Sequence, residues 1–369
     1  MTTSNRKSYF HHNINFFHVF CIKDLFTFVV IAGLEWTPEC EAIFLLGGAA
    51  GNMAKSELVA VANTAYNYVE VFDINMERIF TTNLPEHMPA GRFYMSAVVV
   101  KDAGKTDIYV LGGGSHMTEV DEEGVSGWSY SERSVWKYSL CDNKWRVMSE
   151  MTVARAYTVA VYIDGYIYLA GGWNHTDRTL SSVERYHISD NTWHTTRDLP
   201  YELVYAAGCS MSGVAYISGG RKPRGVISSD VLCYDADRDE WKVTVSLVTA
   251  RHLHMMCCSG QHLYVVGGGG GKYLLDSVER WSPGEATFTL MTNSTMPWKR
   301  QCTSAVYHDN KIYVLGGYGT SCRSPDKARA TDSVLVLDVT TGRWRELDSP
   351  LSALSRPVKS CCCVLVTPP

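Results

Sequence analysis

The stretch that decides the fold is residues 155–200, RAYTVAVYIDGYIYLAGGWNHTDRTLSSVERYHISDNTWHTTRDLP. It opens on Arg155, runs through Val159–Ile163, and turns at Asp164–Gly165. It then runs through a second apolar segment that ends at Gly171–Gly172. A third segment carries Val183-Glu184-Arg185-Tyr186, and a fourth opens at Trp193. Short β-branched and aromatic runs separated by Asp-Gly, Asn and Pro punctuation predict four antiparallel strands joined by tight turns.

The pattern recurs along the chain. Apolar runs end in a glycine pair at Gly47–Gly48, Gly112–Gly113, Gly171–Gly172, Gly219–Gly220, Gly267–Gly268 and Gly316–Gly317. The first glycines are 65, 59, 48, 48 and 49 residues apart, so the basal period is 48–49 with insertions in the first two repeats. A large aromatic keeps register downstream: Phe80, Trp145, Trp193, Trp241, Phe288 and Trp344. After it stands Arg92, Arg155, Arg251, Arg300 or Arg356, with Leu203 in the slot that precedes the fourth glycine pair. Four strands repeated at about 50 residues describe a β-propeller blade, a small sheet with two apolar faces that only stacking can cover. The chain therefore predicts one all-β, six-bladed propeller over 42–366. The C-terminal segment Val358–Val366 is expected to pair with Ala42–Leu46 and hide the ring's open edge.

Composition narrows the rest. The chain has 369 residues, 34 Lys+Arg against 38 Asp+Glu (net charge −4), 46% hydrophobic residues and 12 cysteines. That near-neutral balance excludes a strongly basic nucleic-acid footprint, so no nucleic-acid partner is expected. The cysteines include adjacent pairs and triplets, Cys257–Cys258 and Cys361–Cys363, and no CxxC spacing. They read as reduced thiols of a cytoplasmic protein with no metal or other cofactor. Residues 1–41 form a Phe-rich leader of unknown role. Its longest apolar run, Leu25–Leu34, is half the length of a membrane-spanning helix and lacks a good cleavage site, so neither a membrane anchor nor secretion is expected. Residues 367–369 form a short tail.

The glycine pairs, Ser182-Val-Glu-Arg-Tyr186, Ser277-Val-Glu-Arg-Trp281 and the repeat tryptophans and arginines resemble the kelch repeat, in particular that of the kelch-like (BTB–kelch) proteins. The resemblance covers 42–366. It implies a non-enzymatic protein-binding propeller, similar to the substrate-recognition part of cullin-3 ubiquitin ligase adaptors. A BTB domain takes about 100 residues or more, so none is expected in the 41 ahead of the first repeat. Kelch-fold enzymes of the sugar-oxidase or sialic-acid-epimerase type and actin-binding scaffolds are the alternatives. No nucleophile–base pair or metal constellation marks an enzyme here.

Most repeat residues are expected to be structural: the glycine pairs for close strand approach, Trp145, Trp193, Trp241 and Trp344 for packing between blades. The arginines are expected to tie adjacent blades through backbone carbonyls. Candidate binding residues are those outside the pattern, on loops after each glycine pair and ahead of each first strand, which by analogy share one face. They are Trp173, Asn174, His175, Arg221, Lys222, Arg224 and Tyr318, with Tyr94, Tyr157, Tyr205 and His252 just past the Arg slots. Aromatic and Arg side chains dominate binding hot spots, and three cations in four residues suit an acidic peptide. Two insertions, Ser115–Arg133 with Glu119, Asp121, Glu122 and Glu123, and Ser321–Asp332 with Arg323, Lys327 and Arg329, flank this face and are expected to be disordered. The glycine run ending at Lys272 lacks the residues of a phosphate loop and reads as a turn.

Overall fold

A computed structural model describes residues 41–47, 65–80, 85–117, 129–321, 324–347, 352–355, 357–359 and 361–367. The leader apart from Glu41, Gly48, Glu119, Asp121, Glu122, Glu123, Arg323 and Arg356 lie outside them. The architecture is all-β; among the described residues the only helical element is the single turn Pro223–Gly225.

Six four-stranded antiparallel sheets, numbered I to VI here, carry the repeats. Sheet III shows the plan: Val159–Ile163, Tyr166–Ala170, Val183–His187 and Thr192–Thr195, hydrogen-bonded in that order. The first strands of sheets II, IV, V and VI are Ser96–Asp102, Ala207–Met211, Met255–Cys258 and Ala305–His308. Sheet I draws on both ends of the chain: Cys362–Val366 pairs with Ala42–Leu46 in the register Ala42–Val366 to Leu46–Cys362, followed by Val69–Asp73 and Arg78–Ile79. Each first strand packs against those of two neighbouring sheets: Ser96–Asp102 against Val159–Ile163 and Cys362–Val366, Met255–Cys258 against Ala207–Met211 and Ala305–His308.

Burial follows from this stacking. The second strand Tyr166–Ala170 sends Ile167 and Leu169 into a core shared with Val100 and Tyr109 of sheet II. Its Tyr168 and Ala170 go into one shared with Ile217 and Tyr234 of sheet IV. A strand covered on both faces has no polar side to show, which is why it reads as a continuous apolar run. The fourth strand, Thr192–Thr195, lies at the periphery and is largely exposed.

The repeat residues act at the joints. Gly112, at φ +60°, sits where an added Cβ would lie 2.3 Å from the Arg155 carbonyl oxygen, and Gly113 N donates to that same oxygen at 2.8 Å. Only glycine tolerates both the left-handed backbone and this approach. The Arg155 side chain does something other than expected: it stays within its own sheet. Its Nη1 donates to Gly171 O and Ser182 O at 2.9 and 2.8 Å, and Nη2 pairs with Glu184 Oε2 at 3.1 Å. Glu184 in turn accepts from Thr152 N at 3.0 Å, on the connection arriving from sheet II. Arg251 repeats the plan with Gly267 O and Glu279, and Glu279 accepts from Val248 N and Thr249 N. Main chain, not the Arg side chain, reaches the neighbouring sheet. In these two sheets the Glu of Val-Glu-Arg neutralises a guanidinium buried at 0% exposure.

The tryptophans do join neighbours. Trp145, Trp193 and Trp344 donate through Nε1 to Glu86 O, Ser149 O and Ser294 O, each on the connection from the preceding sheet, at 2.7–2.8 Å. Trp241 differs: its Nε1 is buried with no hydrogen-bond partner among the described residues.

The second insertion also departs from expectation. Tyr318–Ser321 and Ser324–Ala330 form a ribbon, and Tyr318–Gly319 pairs with Arg300–Gln301. Regular pairing of main-chain groups has overridden the polar composition. The ends of the first insertion pair too, Gly114 with Ser131 and Met117 with Ser129.

Candidate partner-binding rim

In four of the repeats the segment after the glycine pair runs beside the residue that follows the Arg slot. Bridges join Phe93 to Gly114, Ala156 to Trp173, Val204 to Arg221 and His252 to Gly269. This is the local reason that loops distant in sequence lie together.

One residue further on, the chain takes a left-handed turn into the first strand: Tyr94, Tyr157, Tyr205, Leu253 and Cys302 have φ between +50° and +60°. Non-glycine residues adopt this at a cost of roughly 1 kcal/mol or more. The compensation is visible in a main-chain relay, Tyr157 N to Tyr94 O, Leu253 N to Tyr205 O and Cys302 N to Leu253 O, at 2.8–3.1 Å. The rings follow: Tyr94 and Tyr157 have centroids 4.0 Å apart, Tyr157 meets Tyr205 edge-on at 4.7 Å, and Tyr205 lies 6.0 Å from His252. Burial raises the Tyr157 hydroxyl's pKa well above the usual value, so it stays protonated and able to donate.

The three tyrosine rings border a cavity of about 210 Å³. Its wall includes Ala97, Val159, Gly208, Met255, Ala305 and Cys362, one residue from each first strand. The wall mixes small apolar residues with polar ones, and some of the polar groups turn to their own partners: Ser96 Oγ donates to Thr158 O at 2.6 Å, and His254 Nε2 lies 2.8 Å from Ser218 Oγ. Burial, reinforced by Arg251, holds the His254 pKa well below the usual imidazole range. Burial also lowers that of His252, with Arg221 adding to it. Among the described residues no group of three or more His, Cys, Asp or Glu is placed to hold a metal.

The other candidate residues divide. Arg221 and Arg224 are exposed, Arg224 at φ +61° inside the Pro223–Gly225 turn. Lys222 points inward: its ammonium lies 2.7 Å from Asp230 Oδ2 and 3.8 Å from the Tyr201 ring centroid, so its charge is committed within the fold. Trp173 and Asn174 do not lie on a free loop. They pair with Thr179 and Arg178, are 3% and 4% exposed, and Asn174 closes its own turn through Asp177. His175 is the exposed member of that trio. Tyr318 is half-buried, with the Lys359 ammonium 5.5 Å from its ring.

Sequence reasoning missed Leu253 and Cys302, which occupy the Tyr94 slot in sheets V and VI. Counting two residues from Arg251 and Arg300 finds both; His252 is one residue early and stands beside the row. It also missed Tyr273, 62% exposed on the glycine-rich turn, and Val226, 56% exposed after the cationic turn. Nothing in the repeat pattern marks either.

Known proteins share this repeat. The model of the KLHDC2/KLHL20/DRC7 Kelch-repeats domain matches residues 40–268 and 206–367. Kelch-like protein 24 of Rattus norvegicus is 36% identical over 242 residues, 66% of this chain and 37% of that protein. Kelch-like protein 26 of Danio rerio is 28% identical over 250 residues, 66% and 39% of the two chains. Kelch-like protein 36 of Bos taurus is 28% identical over 145 residues, 37% and 22%. The chain thus spans between 22 and 39% of the length of these relatives. With glycine pairs, buried Arg–Glu joints and outer tryptophans accounted for and the family model matching almost all of 40–367, the chain belongs to the kelch-repeat β-propeller family.

Proposed function

We propose that this chain is a non-enzymatic protein-binding module of the cytoplasm: a closed ring of six kelch blades that takes an acidic peptide on the rim around Tyr94, Tyr157, Tyr205 and His252. The observation that carries the reading is the contiguous row of Tyr94, Tyr157 and Tyr205, with His252 beside it, next to the exposed Arg221 and Arg224. Rigid aromatics give contact area at low entropic cost, and guanidinium forks give charge-assisted, two-point recognition of carboxylates. Ring closure is supported by the pairing of Cys362–Val366 with Ala42–Leu46 and by the contribution of all six first strands to one cavity wall. Kinship with kelch-like proteins favours the finer role of substrate receptor for a cullin-3 ubiquitin ligase. His175 and Tyr318 extend the contact surface, while Trp173, Asn174 and Lys222 hold the loops in place.

Affinity capture with the chain and with Arg221→Glu/Arg224→Glu tests this, since both side chains are exposed and the fold does not depend on them. The acidic partners captured by the parent chain are expected to be lost from the variant. An unchanged partner set would place binding elsewhere.

A further inference from the structure

Two thiols face one another across a single sheet–sheet boundary. Cys209 lies on Ala207–Met211 of sheet IV and Cys258 ends Met255–Cys258 of sheet V. Both pack on the core shared by those two sheets, with Met211, Cys233, Met256 and Trp281. Adjacent Cys257 points the opposite way, into the core shared with sheet VI. Cys258 Sγ lies 3.1 Å from Ser210 O, the carbonyl one residue beyond Cys209. Cys209 and Cys258 are residues of intermediate exposure beside the sheet–sheet boundary, whereas Cys361, Cys362 and Cys363 are buried.

We propose that Cys209 and Cys258 form a dithiol that a hydroperoxide converts to a disulfide, covalently joining sheets IV and V. The chemistry divides the roles. The Cys209 S–H donates to the Cys258 sulfur and, with the Gly260 N–H, brings the Cys258 thiol down to about 7 despite its burial, while Cys209 is raised well above its usual value. Cys258 is therefore the thiolate that attacks and Cys209 the thiol that resolves. In the first step Cys258 sulfur attacks the terminal peroxide oxygen, the O–O bond breaks, and the remaining oxygen leaves as the alcohol (as water where the oxidant is hydrogen peroxide) while Cys258 becomes a sulfenic acid. In the second, Cys209 sulfur attacks the sulfenic sulfur, the S–S bond forms, and the hydroxyl leaves with the Cys209 proton as water. Two electrons pass from the sulfurs to the peroxide, and a dithiol reductant reverses the change. The two sheets joined are those whose loops carry Arg221 and His252, but the assignment does not depend on what the rim binds.

The test is peptide mapping of the full chain. The reduced protein, dilute and folded, is treated with hydrogen peroxide, alkylated, digested with trypsin and analysed by mass spectrometry. The expected product joins the peptide 198–221 to the peptide 252–272, disappears on reduction with dithiothreitol, and coincides with the loss of two alkylatable thiols. Because Cys257 and Cys258 share a peptide, Cys257→Ser is expected to retain the cross-link and Cys258→Ser to abolish it. Fragmentation of the wild-type cross-linked peptide identifies the sulfur independently of either variant's folding. A link through Cys257, or Cys258 recovered as sulfinic acid with Cys209 still alkylatable, would overturn the proposal.

Discussion

Replacing Glu184 by Ala is the sharpest probe of how these sheets are joined. Glu184 is 1% exposed and Arg155 is 0% exposed. Removing the carboxylate strips the guanidinium of two contacts, from Nε at 3.2 Å and Nη2 at 3.1 Å. It leaves a buried positive charge held only by Gly171 O, Ser182 O and Ser182 Oγ. An uncompensated buried charge of this kind costs about 3–5 kcal/mol. Thr152 N also loses its acceptor, but Thr152 is exposed and water replaces most of that bond. The double variant Arg155→Met/Glu184→Leu removes the charge as well as its partner. It still strands Gly171 O, so it is expected to recover only about 2 kcal/mol of the loss. Glu132 is the internal control. Its carboxylate lies 3.6 Å from Arg92 with 29% of its side chain exposed, and Glu132→Ala is expected to cost no more than ~1 kcal/mol. Urea denaturation followed by tryptophan fluorescence measures all four proteins. If Glu184→Ala lies within about 1 kcal/mol of the parent, or if Glu132→Ala costs as much, then the buried pair is not what secures the joint.

Two further outcomes follow from particular atoms. Trp193→Phe should destabilise by roughly 1 kcal/mol more than Trp241→Phe, because Trp193 Nε1 bonds Ser149 O at 2.8 Å whereas Trp241 Nε1 is buried without a partner among the described residues; the same denaturation measurement compares them. His254 sets a pH dependence. Burial, then Arg251 and His252, depress its pKa below the ordinary 6.5, so the unfolded chain binds the extra proton and stability falls as pH drops below about 6.5. His254→Gln should flatten the decline in melting temperature between pH 7 and pH 5, and an unaltered decline would remove His254 as its source.

The four-strand plan was legible without coordinates because each strand's environment repeats. A strand between two sheets is apolar throughout, and the hairpin turns between strands put Gly, Asp or Asn at most of their left-handed positions, so the period survives in residue types. The Val-Glu-Arg motif was visible, but its meaning was not: that Glu184 neutralises Arg155 is a contact across 29 residues, invisible to any local pattern. The rim was legible only in part. Tyr94, Tyr157 and Tyr205 stand at a fixed offset from the Arg slot, so register alone assembled them. Trp173, Asn174 and Lys222 share residue types with binding loops but are drawn inward by Thr179, Asp177 and Asp230, and only three-dimensional packing tells an inward cation from an outward one.

The amino-acid order by itself therefore determined the kind of sheet and its repetition, since periodicity is a property of neighbours along the chain. Tertiary structure decided which groups are spent and which remain exposed. Partners such as Cys209 and Cys258, or Cys362 and Leu46, lie far apart in sequence, and stacking sheet on sheet is what brings them into contact.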